Sequence, residues 1–116
     1  MQYINKLKKM SKKQAHKEWR KNFSKNVFAR DKNRCKICGS TENLDAHHIT
    51  DRHEMPNGGY VIENGITLCS LHHLEAEQYH IFNKTNGVDG MYPNDLYKLI
   101  NSSYEIAVKK SNELTM

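Results

Sequence analysis

Two metal-ligand half-sites, Cys35-x2-Cys38 and Cys69-x2-His72, oblige this chain to fold back on itself, because donors about thirty residues apart must meet at one point. Thiolates separated by two residues can converge on a single tetrahedral ion, and a second pair returning from further along closes the cage. A cysteine taken singly is a small hydrophobe, but that reading leaves the paired spacing unexplained. His72 and His73 stand about 100° apart around a helix, so one can face the cage while its neighbour turns away. The spacing of two from Cys69 favours His72 as the fourth ligand of a structural Zn2+ and leaves His73 free.

The remaining bounds are set by size and charge. A chain of 116 residues, 37% of them hydrophobic, should form one domain with a modest core, which a metal staple would reinforce. Three cysteines is an odd count, and the N-terminal segment lacks the apolar run of a signal peptide or membrane span, so the expected compartment is the reducing cytoplasm. Of the 18 Lys and Arg residues, thirteen precede position 37, where the only acids are Glu18 and Asp31. A basic arm on an otherwise acidic domain suits a polyanion held by its backbone. A solvated helix face would look the same in isolation.

Along the chain, Met1–Met10 reads as a lysine-rich extension, frayed or helical. Ser11 then caps a helix through about Arg30, in which Ala15, Trp19, Phe23 and Val27 recur every four residues. Its other faces carry Lys12, Lys13, Lys17 and Arg20, candidates for phosphate contact together with Arg52. Cys35 to Gly39 is a tight knuckle, and Leu44 to Ile49 a strand. Asp51 to Tyr60 is a turn-rich loop, and Asn64-Gly65 introduces a return strand over Ile66 to Cys69. A helix follows from Ser70, its cap, to about Phe82. After the break at Gly87 to Pro93, the positions of Leu96, Leu99, Ile100, Tyr104, Ala107 and Val108 predict one amphipathic helix closing on the core. The expected organisation is a basic arm and helix over 1–34, a metal-stapled core over 35–82 and a helical extension over 83–116, together one small α+β domain.

Consecutive strand residues project to opposite faces, so His47 and His48 should divide their labour. Two ordinary imidazoles would satisfy an isolated His-His pair. The full string is more telling: His47-His48-x15-Asn64-x8-His73-x3-Glu77, with Leu44 and Ile49 flanking the first half and Gly65-Ile66-Thr67-Leu68-Cys69 preceding the second. Over about Phe28 to Glu77 it resembles the HNH endonucleases, also called ββα-metal or His-Me finger nucleases, small free-standing phage-type members in particular.

That resemblance implies a zinc-stabilised ββα-metal fold and a role for each matching position. His48 would be the general base that deprotonates water, His47 and His73 ligands of a catalytic divalent ion, and Asn64 the residue that ties the loop to the strand and aims the base. Glu77 falls where some relatives place a further histidine near the metal. Many members carry aspartate where His47 stands and cysteine where His72 stands, so the zinc cage here is Cys3His. The implied activity is metal-dependent hydrolysis of DNA, leaving 5′-phosphate and 3′-hydroxyl ends. Two imidazoles and one carboxylate would accept Mg2+, Mn2+, Ni2+ or Zn2+.

The competing reading is a zinc-stabilised nucleic-acid-binding module with little or no turnover, and an RNA-directed nuclease would use the same chemistry. The expected partner is duplex DNA without a membrane, the chain acting as monomer or homodimer, in a host cytoplasm if phage-encoded. Asp45, two positions from His47, could orient that imidazole, although an exposed strand carboxylate is the simpler account. His53 could touch phosphate, whereas His16 and His80 read as surface or packing residues, and Trp19 and Phe23 as core.

Overall fold

The computed structural model describes residues 11–115, so the lysine-rich extension over Met1–Met10 lies outside the described residues. Helix α1 spans Lys12–Arg30. Its start is set by a capping box: Ser11 Oγ accepts from the Gln14 amide at 3.0 Å and the Gln14 side chain accepts from the Ser11 amide at 2.9 Å. The four-residue stripe buries Ala15, Phe23 and Val27, while Trp19 stays half-buried and donates its indole N–H to Thr115.

At the far end of α1 the next residue, Asp31, fixes the helix to the sheet. Arg30 forks onto Asp31 through two bonds of 2.8 and 2.9 Å, and also donates to the carbonyls of Ile62 and Gly65, both at 2.6 Å. The Asp31 carboxylate in turn accepts the Thr67 amide at 2.8 Å. Burial alone would raise the Asp31 carboxyl, but the Arg30 pair and the Thr67 bond outweigh it and hold it below its ordinary 3.8. A carboxyl lowered on folding stabilises the fold above its unfolded value, and that contribution fades as pH falls below 3.8. Asp31→Ala should therefore cost ~1.5–3 kcal/mol at pH 7. Urea unfolding of both proteins should show the difference shrinking in acid; a difference constant down to pH 3 would refute it.

Strands β1 (Leu44–His48) and β2 (Gly65–Cys69) form an antiparallel pair, with Leu44 opposite Cys69, His47 opposite Ile66 and His48 opposite Gly65. Between them the loop folds into three short 3-10 turns, Arg52–Glu54, Pro56–Gly59 and Ile62–Asn64. Asn57, Gly58 and Gly59 sit there in the left-handed region, with φ of 53°, 82° and 67°.

Helix α2 spans Ser70–Ile81. Cys69, not Ser70, occupies its cap, because the chain leaves extended β2 at that residue; the Ser70 hydroxyl instead donates to the Asn43 carbonyl at 3.3 Å. A second correction concerns the C-terminal segment, which forms two helices, α3 (Pro93–Leu99) and α4 (Tyr104–Asn112). Asn101 turns left-handed at φ 55°, and Ser103 recaps the chain by accepting from Ile106. The change of direction breaks the expected stripe: Leu96 and Ala107 are buried, but Leu99 is 41% and Tyr104 47% exposed.

The main core gathers Ile49, Ile66 and Leu68 from the sheet region, Ala76 from α2, and Leu96, Tyr97 and Ala107 from the C-terminal helices. Phe23, Val27 and Tyr60 form a second cluster on the other side of the sheet. Among the described residues no helix is long and apolar enough to cross a membrane.

Candidate functional site

The knuckle that starts the first half-site is closed by local backbone bonds, Gly39 to the Cys35 carbonyl at 2.8 Å and Cys35 to the Ser40 carbonyl at 2.9 Å, with Gly39 at φ 79°. It presents Cys35 and Cys38 to Cys69, at the end of β2, and His72, in the first turn of α2. The four donor atoms lie within 4.8 Å of one another. Cys38 and Cys69 are 3.8 Å apart, sulfur to sulfur, and His72 Nδ1 lies 3.2 Å from Cys69 and 3.7 Å from Cys35. A tetrahedral ion with sulfur at ~2.3 Å requires S–S edges of roughly 3.8 Å, so the donors fit one. All three thiols are free of disulfides. Burial pushes the Cys35 thiol up, but the amides of Cys38, Cys69 and Ile37 and the His72 ring outweigh it and bring it to about 6, which favours the ligating thiolate.

The second cluster is assembled from β1 and α2. Strand alternation turns His47 inward, to 1% exposure, where its ring meets His73 edge-on with centroids 5.1 Å apart. Glu77, one helical turn after His73, places a carboxylate oxygen 3.1 Å from His47 Nδ1 and 3.4 Å from His73 Nε2. The donors of His47, His73 and Glu77 all lie within 4.8 Å of one another. Both ring nitrogens of His47 are sealed from solvent, yet neither makes an aligned hydrogen bond among the described residues. Unbonded buried imidazole nitrogens facing a carboxylate and a second imidazole are what a divalent ion would satisfy.

Charge within this cluster is strongly polarised. The adjacent His47 and His73 rings hold the Glu77 carboxyl far below the usual range, and the Glu77 and Asp45 carboxylates raise His73 against its partial burial. Burial lowers His47 and keeps it neutral, the state in which imidazole ligates. Asp45 bonds His73 Nδ1, at 3.2 Å, rather than His47 as the strand spacing suggested. Helix α2 brings His73 across the edge of β1, a contact that alternation along one strand does not encode.

On the other face of β1, His48 stacks on Phe23 with ring centroids 4.3 Å apart and meets Tyr60 edge-on at 5.1 Å. Burial, with His47 and Arg52 nearby, lowers it to about 4, so the ring is neutral near physiological pH. Gly65, opposite His48, makes the stacking possible. Its φ of −129° is ordinary extended backbone, so its value lies in space: a Cβ there would come within 2.5 Å of Val27 and 2.6 Å of Phe23. Gly65→Ala should destabilise by ~1–3 kcal/mol through overpacking and displace Phe23 from His48. A melting temperature equal to wild type would contradict that.

Asn64 is fully buried and all of its side-chain bonding serves the loop. Its amide donates to the carbonyls of Thr50 and Gly59, at 3.0 and 3.2 Å, and its oxygen accepts from the Thr50 amide and the Tyr97 hydroxyl, at 3.0 and 2.8 Å. With the Ile49 amide bonded to the Asn64 carbonyl, both residues that follow His48 are fixed. Tyr97 is an addition from the C-terminal helices, where no motif pointed to it.

Despite lying on opposite strand faces, His48 and the His73–Glu77 pair open on one cavity of about 280 Å3. Arg20 and Arg52 line it as well, whereas Lys12, Lys13 and Lys17 are exposed elsewhere on α1. His53 lies outside, its amide capping a turn on Asp51. His16 packs on Trp19 with ring centroids 5.0 Å apart, as a packing residue would. His80, which the pattern left without a role, forms part of the cavity wall, its ring centroid 5.6 Å from that of His47.

No curated protein and no solved structure matches this chain. Residues 35–77, which hold both clusters together with His48 and Asn64, match the family model described as HNH endonuclease.

Proposed function

We propose that this protein is a metal-dependent endonuclease that hydrolyses phosphodiester bonds of DNA, with His48 as general base, Asn64 as its positioning residue and His47, His73 and Glu77 as the catalytic metal ligands. The observation that carries this reading is the shared cavity: the neutral His48 imidazole, the His73 and Glu77 donors and two arginines border one space. A phosphodiester entering it would meet Arg20 and Arg52, and its negative charge would raise the proton affinity of the nearby His48 ring. His48 then takes a proton from water as the water oxygen bonds to phosphorus, and the bond from phosphorus to O3′ breaks, the departing 3′-oxygen taking its proton from solvent. The products are a 5′-phosphate and a 3′-hydroxyl. Held by His47, His73 and Glu77, a divalent ion would draw charge from the phosphoryl and leaving oxygens.

Mg2+, Mn2+, Ni2+ or Zn2+ would suit the catalytic donor set, and Zn2+ the Cys3His cage. The exposed Lys12, Lys13 and Lys17 on α1 would track the phosphate backbone of duplex DNA. One catalytic cluster per chain nicks one strand at a time, so double-strand cuts would require a homodimer or two visits. Supercoiled plasmid incubated with each divalent ion should be converted to open circles by the wild type. Binding without divalent-dependent nicking would favour a zinc-stapled nucleic-acid-binding module instead.

A further inference from the structure

Beyond His80 lies a second cavity, of about 360 Å3, between the C-terminal end of α2 and the two C-terminal helices. His80 belongs to the walls of both cavities. Thr50, two residues after His48 in sequence, lines the second. Its other walls are unusually aromatic: Tyr79, Tyr92, Tyr97 and Tyr104 come from three different helices or their caps. Tyr79 and Tyr92 brace each other edge-on at 5.6 Å, and Tyr97 is fixed by its bonds to Thr50 and Asn64. Tyr104, by contrast, is 47% exposed. Lys84 and Glu54 form an ion pair among the lining residues, which also include the amide of Asn94.

We propose that this cavity receives a nucleobase of the strand whose phosphate lies at His48, an inference that rests on the nuclease reading and gives it a specificity site. Its volume is at the low end of the ~300–1,000 Å3 of small-molecule sites, room for a single base with its sugar. Four tyrosines in the lining suit a flat π-system, and the hydroxyl and amide groups offer both donors and acceptors to a base edge. Lys84, in the same lining, offers a cation to a flanking phosphate. A strand running through the His48 cavity reaches this space across the single side chain of His80, so the base is that of a nucleotide close to the scissile bond. Because a paired base cannot enter, the cavity favours single-stranded, frayed or flipped nucleotides.

Two measurements test the assignment. The first is NMR titration of the zinc-loaded full chain, without other divalent ions, using deoxyadenosine 5′-monophosphate and, separately, deoxyribose 5-phosphate. The nucleotide alone should shift the ring resonances of Tyr92 and Tyr104. No shift, or equal shifts from the sugar phosphate, overturns the proposal. The second maps cleavage of an oligonucleotide carrying one abasic residue. Cutting should fall about tenfold, equivalent to ~1.4 kcal/mol, at one phosphate a fixed offset from the missing base. Tyr104→Leu should abolish that dip and Tyr104→Phe should preserve it; a uniform pattern in the wild type overturns the proposal. Nucleotide-dependent shifts without any cleavage would retain the base site and remove the nuclease reading.

Discussion

His48→Ala is expected to reduce plasmid nicking by ~10²- to 10⁴-fold while leaving the protein folded. The size of the loss follows from the role: without a positioned proton acceptor, water must ionise unaided in the cavity that His73 and Glu77 border. The fold should survive because the substitution removes opposing contributions. Alanine loses the stacking of His48 on Phe23, but it also removes a buried Nε2 that bonds to nothing among the described residues. The backbone on either side is held independently, by pairing with Gly65 and by the Asn64 bonds to Ile49 and Thr50. Circular dichroism and a thermal melt close to wild type, beside the collapse in nicking, would identify a chemical defect. Nicking retained within tenfold would remove His48 from the reaction.

What could be read in advance was whatever repeats or is spaced along the chain. The capped helix from Ser11, the buried Ala15, Phe23 and Val27 stripe, the two strands and the Cys35, Cys38, Cys69 and His72 grouping all follow from local periodicity or ligand intervals. Residues that act through partners distant in sequence were not readable. Asp31 looks like an ordinary helix-terminal acid until the Thr67 amide, thirty-six positions away, is placed against it. Asp45 could be assigned to a strand face, but its actual partner arrives on α2. Phe23 was legible as core, and it is core; that one edge of the core is also the platform under His48 depends on Gly65 yielding the space. The break at Asn101 was masked because the apolar positions on both sides still match a helical period. The restart is set by Ser103, whose side chain accepts from the Ile106 amide.

Removal of a metal held by Cys35, Cys38, Cys69 and His72, the Zn2+ proposed above, should have the largest effect on stability. Cys35 and Cys69 belong to the main core cluster, so the cage is continuous with the hydrophobic interior rather than attached to its surface. It also joins the knuckle, the end of β2 and the start of α2, whose first turn supplies both His72 and the His73 of the second cluster. Zinc binding at comparable sites contributes ~10–16 kcal/mol, as much as or more than the ~5–15 kcal/mol net stability of a typical domain. Cys35→Ser should therefore abolish cooperative unfolding near neutral pH, and a strong chelator should unfold the wild type. His47→Ala, in contrast, should cost activity and leave the zinc content at one equivalent, because its donors are separate from the cage. Cobalt substitution offers the direct readout: a tetrahedral thiolate spectrum at one equivalent in wild type and His47→Ala, and its loss in Cys35→Ser. A Cys35→Ser protein that melts at the wild-type temperature would show that the core closes without the metal, and the four-donor cage would then have no structural role.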